Sequence, residues 1–150
     1  QQQLLLVILV TIIVGIATVV AINVFGTSAE SANRDAVRQD VLTIAAASQG
    51  WYIKPEMMGG GGNSFDGMTF RDINFSAEKI SETDDGVTAE NMNGTYVMDT
   101  SAGTSVTLTA HPSSDISYVP SEDAADASVF TGATETMEAT IVKDGVSWGS

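Results

Sequence analysis

The chain of 150 residues contains no cysteine, a single histidine and three prolines. Without cysteine there is neither disulfide nor thiolate, which removes thiol catalysis, thiolate metal sites and covalently attached c-type haem. One imidazole cannot assemble a metal or nucleophilic constellation by itself. His111, immediately before Pro112, reads as a solvent-facing residue at a strand end. Positive charge is also scarce: six Lys and Arg stand against nineteen Asp and Glu, for a net charge of −13. Over residues 1–54 the charges cancel, Arg34, Arg38 and Lys54 against Glu30, Asp35 and Asp40. The whole excess falls on residues 55–150, where Arg71, Lys79 and Lys143 face sixteen carboxylates. Such a surface repels nucleic acid and anionic lipid headgroups, so no nucleic-acid partner is expected.

What the chain has instead is an uncharged run, LLLVILVTIIVGIATVVAINVF, from Leu4 to Phe25. Its only polar side chains are Thr11, Thr18 and Asn23. As a helix it rises about 33 Å at roughly 1.5 Å per residue, enough to cross the hydrocarbon of a bilayer. A helix apolar all round is buried, either in lipid or against other protein. No basic residue precedes the run and no small-residue cleavage site follows it, unlike a secretory signal peptide. The expectation is a mature chain whose leader was cut immediately before Gln1.

Gly26-Thr27-Ser28 marks a soft spot, but the helical register continues through it. Ala29, Asn33, Val37, Val41, Ile44, Ala45, Ser48 and Tyr52 recur every three to four residues, a stripe on one face, with Glu30, Arg34, Asp35, Arg38 and Gln39 opposite. Pro55 disfavours the helical conformation at Lys54 and marks the stop. The spacing therefore predicts one helix of about 50 residues. Beyond it, Gly94–Asp99 and Thr104–Ala110 have strand composition, the latter alternating apolar with hydroxylated residues. Thr136–Val142 and Val146–Trp148 form a hairpin around Asp144-Gly145, and Ile116–Val119 suggests one more short strand. A three- or four-stranded antiparallel sheet packed on the helix stripe satisfies both apolar faces. The expected class is α+β: an apolar helix over 1–26, an amphipathic half over 27–54, loop over 55–93 and an acidic antiparallel sheet over 94–150.

No catalytic constellation emerges, and neither an enzymatic activity nor a cofactor is expected. Gly59–Gly62 lacks the preceding strand and the following Gly-Lys-Ser/Thr of a phosphate cradle and reads as a flexible exposed loop. Asp84-Asp85 and Glu122-Asp123 are weak candidates for a hard cation, since neither has the alternating spacing of a calcium loop. Asn74-Phe75-Ser76 and Asn93-Gly94-Thr95 fit the N-glycosylation sequon. Trp51, Tyr52, Phe65, Phe70 and Phe75 are assigned to packing between helix and sheet.

This layout, an N-terminal apolar run continuing into an amphipathic helix and then an antiparallel sheet, resembles type IV pilins and their pseudopilin relatives. The likeness covers the whole chain in architecture and about its first 25 residues in sequence. It implies cleavage by a prepilin peptidase, an inner-membrane precursor, and stacking by the pilus assembly machinery into an extracellular homopolymer. Adhesion, motility or surface attachment would then be its work. The implied core-forming residues are Gln1, Gln2, Gln3, Leu4, Leu5, Leu6, Ile8, Leu9, Ile12, Ile13, Gly15, Ile16, Val19, Val20 and Phe25. Three positions depart from the family: Gln1 replaces a methylated aromatic, Leu5 replaces a glutamate, and Ile22 stands where many bacterial pilins have proline. With no carboxylate at Leu5, the three glutamines are expected to offer neutral hydrogen bonds to neighbouring N-termini. Two other readings stand beside the filament subunit. One is a pseudopilin or minor pilin of a secretion or DNA-uptake system. The other is a single-span membrane protein with an acidic, ligand-binding head that never polymerises.

Overall fold

The computed structural model describes residues 1–81, 86–114 and 136–149. Helix α1 runs without interruption over Gln2–Ile53. Gly15 and Gly26 stay helical, their φ angles negative like those around them. The helix belongs to two units, Gln1–Ala32 and Asn33–Ser150.

In the second unit α1 buries Val37, Val41, Ile44, Ala45 and Ser48, the stripe anticipated from the spacing. Asn33 and Tyr52 on the same stripe are half-buried, whereas Ala29 is exposed. The last turn ends against a short 3₁₀ turn, Glu56–Met58. Among the described residues the strands form one six-stranded antiparallel sheet in sequential order: β1 Lys79–Ile80, β2 Thr88–Glu90, β3 Gly94–Asp99, β4 Ser105–Pro112, β5 Met137–Val142 and β6 Gly145–Trp148. Register places Leu108 opposite both Met98 and Ala139, and Val106 opposite Ile141. Their side chains share one core with the helix stripe, Phe65, Met68 and Phe70. Burying each Val, Ile or Leu in that core stabilises it by about 1.5–3 kcal/mol relative to exposure. The aromatics pack as expected: Tyr52 lies 4.6 Å from Phe65, and Phe75 bridges Phe70 at 5.6 Å and Tyr96 at 5.5 Å.

Five expectations change. The sheet has six strands where three or four were foreseen, and β1 and β2 fall within 55–93, the stretch assigned to loop. Two- and three-residue strands are too short to display alternation, and backbone pairing of Ile80 with Ala89 and of Ala89 with Tyr96 creates them. The final hairpin turns on Lys143-Asp144, since Val142 pairs with Gly145. Neither turn residue has a positive φ, so the turn is not of a primed type.

The glycine run is not a flexible exposed loop. Gly60, Gly61, Gly62 and Asn63 donate their amides to the carbonyls of Pro55, Trp51, Lys54 and Tyr52, wrapping the end of α1. They satisfy carbonyls that a helix terminus leaves unpaired. Only glycine fits at two of these positions: a Cβ at Gly60 would lie 2.2 Å from the Lys54 carbonyl oxygen, and one at Gly61 2.0 Å from that of Ser64.

His111 is not solvent-facing either; it is 2% exposed. β4 continues to Pro112, so His111 sits within the ladder opposite Thr95, itself buried, rather than at an exposed strand end. Asp84, Asp85, Glu122, Asp123 and the strand read at Ile116–Val119 lie outside the described residues.

Candidate assembly surface

Two groups of residues can carry function, one in each unit. The first is the apolar half of α1. Every residue from Gln1 to Phe25 is exposed, including Leu4, Leu5, Leu6, Ile8, Leu9, Ile12, Ile13, Gly15, Ile16, Val19 and Val20. Large apolar side chains here keep between 53% and 78% of their surface accessible, against 0% for Ile44 on the same helix. This is a helix long and apolar enough to cross a membrane, with none of its apolar window buried among the described residues. Ala17 and Ala21, one turn apart, line a shallow apolar groove together with Ile13, Val20 and Val24. Small residues at that spacing let a second helix approach closely.

Three hydroxyls of this half are satisfied locally. Thr11 donates its hydroxyl to the Val7 carbonyl at 2.8 Å, Thr18 to that of Val14 at 2.7 Å and Thr27 to that of Asn23 at 3.0 Å. A hydroxyl can fold back to the carbonyl four residues earlier, so it adds no unmet donor to an apolar wall. Asn23 does not do this: its carboxamide has no hydrogen-bond partner among the described residues.

The second group fastens the amphipathic half of α1 to the sheet. Asp40 Oδ2 accepts three hydrogen bonds at once, from Asn91 Nδ2 at 2.9 Å, Asn93 Nδ2 at 2.8 Å and the Tyr96 hydroxyl at 2.6 Å. The asparagines are presented by the turn between β2 and β3, where Asn91 Oδ1 accepts the backbone amides of Asn93 and Gly94. Gly94 is required there, because a Cβ would stand 2.2 Å from the His111 carbonyl oxygen. Two turns before Asp40, Asn33 donates Nδ2 to the Asn93 carbonyl at 2.9 Å and accepts the Ser114 amide at 3.1 Å. Further along, Gln49 Nε2 donates to the Val142 carbonyl at 3.0 Å and so holds the β5–β6 hairpin. Burial, reinforced by the hydrogen bond to the Asp40 carboxylate and by its charge, pushes the Tyr96 hydroxyl far above its ordinary range.

The residues named above as core-forming all lie on α1 and are exposed among the described residues. The two sequon asparagines differ: Asn74 is exposed, at a φ of 52°, whereas the Asn93 amide nitrogen, where a glycan would attach, is already engaged by Asp40. Sequence reasoning missed the Asp40 cluster. Its one available signal was Asn33 and Asp40, seven residues apart and both polar beside an apolar stripe. Described carboxylates of the head are mostly exposed: Glu56, Asp66, Asp72, Glu78, Asp99, Glu138 and Asp144 all face solvent. Ser101, through its hydroxyl and then its amide, holds the Asp99 carboxyl below its usual range. No family model, no curated protein and no solved structure matches the chain.

Proposed function

We propose that the chain is the structural subunit of an extracellular type IV pilus-like filament, polymerising through residues 4–25 of α1. The observation that carries this reading is the contrast within one continuous helix: one half buries a face in its own core, and the other is apolar on all sides and exposed among the described residues. Exposing that much hydrocarbon to water costs tens of kcal/mol at about 1.5–3 kcal/mol per side chain, so another phase must cover it. A membrane covers it first, as the precursor's anchor after cleavage by a prepilin peptidase, and neighbouring helices cover it afterwards. Stacking of identical helices with heterologous contacts leaves an open helical polymer with the acidic heads outside. The role is structural rather than enzymatic, with adhesion, motility or attachment as its use.

The test is to shear cells that produce the chain, sediment the released material and identify the fibre subunit by mass spectrometry and electron microscopy. Fibres composed of this chain are expected. A second reading, a single-span membrane protein with an acidic head, is favoured by the span-length apolar helix alone. Recovery of the chain only from membranes, with no fibres, selects it and sinks the first. Short, low-abundance assemblies confined to the envelope would instead select a pseudopilin or minor pilin.

A further inference from the structure

We propose that Asn23 sets the axial stagger between copies by pairing its carboxamide with the glutamine end, Gln1–Gln3, of a second copy. The proposal rests on the filament reading above and adds which groups meet. Sixteen large apolar side chains between Leu4 and Phe25 are each more than half exposed. At roughly 60–120 Å² per side chain, as implied by the transfer coefficient, they offer on the order of 1,000 Å². Spread around the helix, that is enough for contacts with several neighbouring copies, against the about 800 Å² each partner contributes to one standard interface. The run carries no charge, so a second copy meets no repulsion along it.

Hydrocarbon alone does not fix an axial position, because one Leu, Ile or Val step packs much like the next. A polar group within it does: a carboxamide buried without partners costs a few kcal/mol, so registers that leave it unpaired are rejected. A single Asn at a helix interface is known to specify register in this way. In a bilayer Asn23 lies within a turn of the end of the apolar run and reaches interfacial water, so the precursor bears little of that cost. Inside a bundle of helices it has no such escape.

The choice of partner follows from what the apolar half contains. Thr11 and Thr18 have already given their hydrogens to their own backbone, so each can accept a hydrogen bond from Asn23 but return none. Gln1, Gln2 and Gln3 carry exposed carboxamides, each a donor and an acceptor matching that of Asn23. They lie 20 to 22 positions before Asn23, about 30–33 Å along a helix. A side-by-side pairing of Asn23 with Asn23 has no axial shift and closes on itself. Pairing Asn23 with the glutamine end is heterologous and leaves both ends free to propagate.

The absence of cysteine makes the test direct, since any disulfide must come from introduced residues. Filaments of the full chain carrying Asn23→Cys together with Gln1→Cys, Gln2→Cys or Gln3→Cys would be oxidised and run without reductant. At least one pair is expected to give a ladder of covalent multimers, since a disulfide needs Cα atoms within about 7 Å. Asn23→Cys alone is expected to give none. A ladder from Asn23→Cys with Thr11→Cys or Thr18→Cys overturns the proposal. So does a dimer from Asn23→Cys alone, or fibres in which none of the three glutamine pairs cross-links. Should the cysteine variants fail to assemble, Asn23→Leu and Asn23→Gln decide: Leu is expected to lower fibre yield about tenfold and Gln to retain it. Equal yields from the wild-type chain and Asn23→Leu also overturn it. Failure of the filament reading shows separately, as wild-type chain that forms no fibres.

Discussion

Along the first half of α1 the hydroxyls of Thr11, Thr18 and Thr27 turn inward to the helix's own carbonyls, and the large side chains stand bare. Along the second half, Asn33, Asp40 and Gln49 reach outward to the sheet, and Val37, Val41 and Ile44 are sealed beneath it. The backbone is the same in both; the difference is where each half finds its partners. A helix that will be covered by something else hides its polarity, because any unmet donor would cost free energy in an apolar surrounding. In the half covered by its own chain Thr43 and Ser48 fold back in the same way, but the longer side chains Asn33, Asp40 and Gln49 make specific cross-links, and these fix its rotation and register on the sheet. Asn23, on the first half but without a local partner, is the exception that points to an intermolecular contact.

The sharpest way to break this comparison is to make the same truncation in both halves. Ile44→Ala removes a fully buried side chain and is expected to destabilise the head by about 2–5 kcal/mol. Ile12→Ala, on the bare half, is expected to change the melting of the detergent-solubilised monomer by less than about 0.5 kcal/mol. Similar losses from the two would show that the halves do not differ as described.

Asp40→Ala tests the cross-links themselves. It leaves the Tyr96 hydroxyl and two asparagine amides without their common acceptor, and a loss of about 3 kcal/mol is expected in chemical denaturation. Asp40→Asn keeps one acceptor oxygen without the charge and is expected to lose less.

At the end of α1, Gly61→Ala sets a Cβ against the Ser64 carbonyl and the Trp51 ring. Backbone must move, and about 2 kcal/mol is expected, with a shift in Trp51 fluorescence; an unchanged melting curve would return the glycines to the status of a flexible loop.

The smallest effect is a titration. Tyr96 keeps its proton in the fold, while in the unfolded chain it ionises near the ordinary value of 10.0. Its folded pKa is raised, so its contribution to stability is complete below that pH and is lost as pH rises beyond it. Above about pH 10 the wild-type head should therefore lose stability more steeply than Tyr96→Phe, measured by denaturant midpoints at a series of pH values.

The helix was legible because its period and its length are local properties. The stripe at Val37, Val41, Ile44, Ala45 and Ser48 follows from side-chain spacing, and Pro55 ends it through sterics between adjacent residues. β4 was legible for the same reason, from strict alternation at Val106, Leu108 and Ala110. β1 and β2 were not, because strands this short exist only through their pairing, β1 with β2 and β2 with β3. The glycine run misled because composition alone does not distinguish glycine needed for freedom from glycine needed for close approach. His111 misled because the end of β4 was placed too early. The Asp40 cluster joins residues 51 to 56 positions apart, and no local pattern encodes such a meeting.

By itself, then, the sequence determined one long helix, its division into an apolar and an amphipathic half, and an acidic α+β head. All three depend on which residue types recur at which interval. Tertiary structure alone decided that Asp40 gathers Asn91, Asn93 and Tyr96, and that the glycines cap the helix end. It also decided that, of the polar side chains in the apolar run, Asn23 is the one without a partner. The first depends on distances between residues far apart in the chain, set only once the sheet has folded onto the helix; the other two depend on which donors and acceptors meet in space, which residue types alone do not specify.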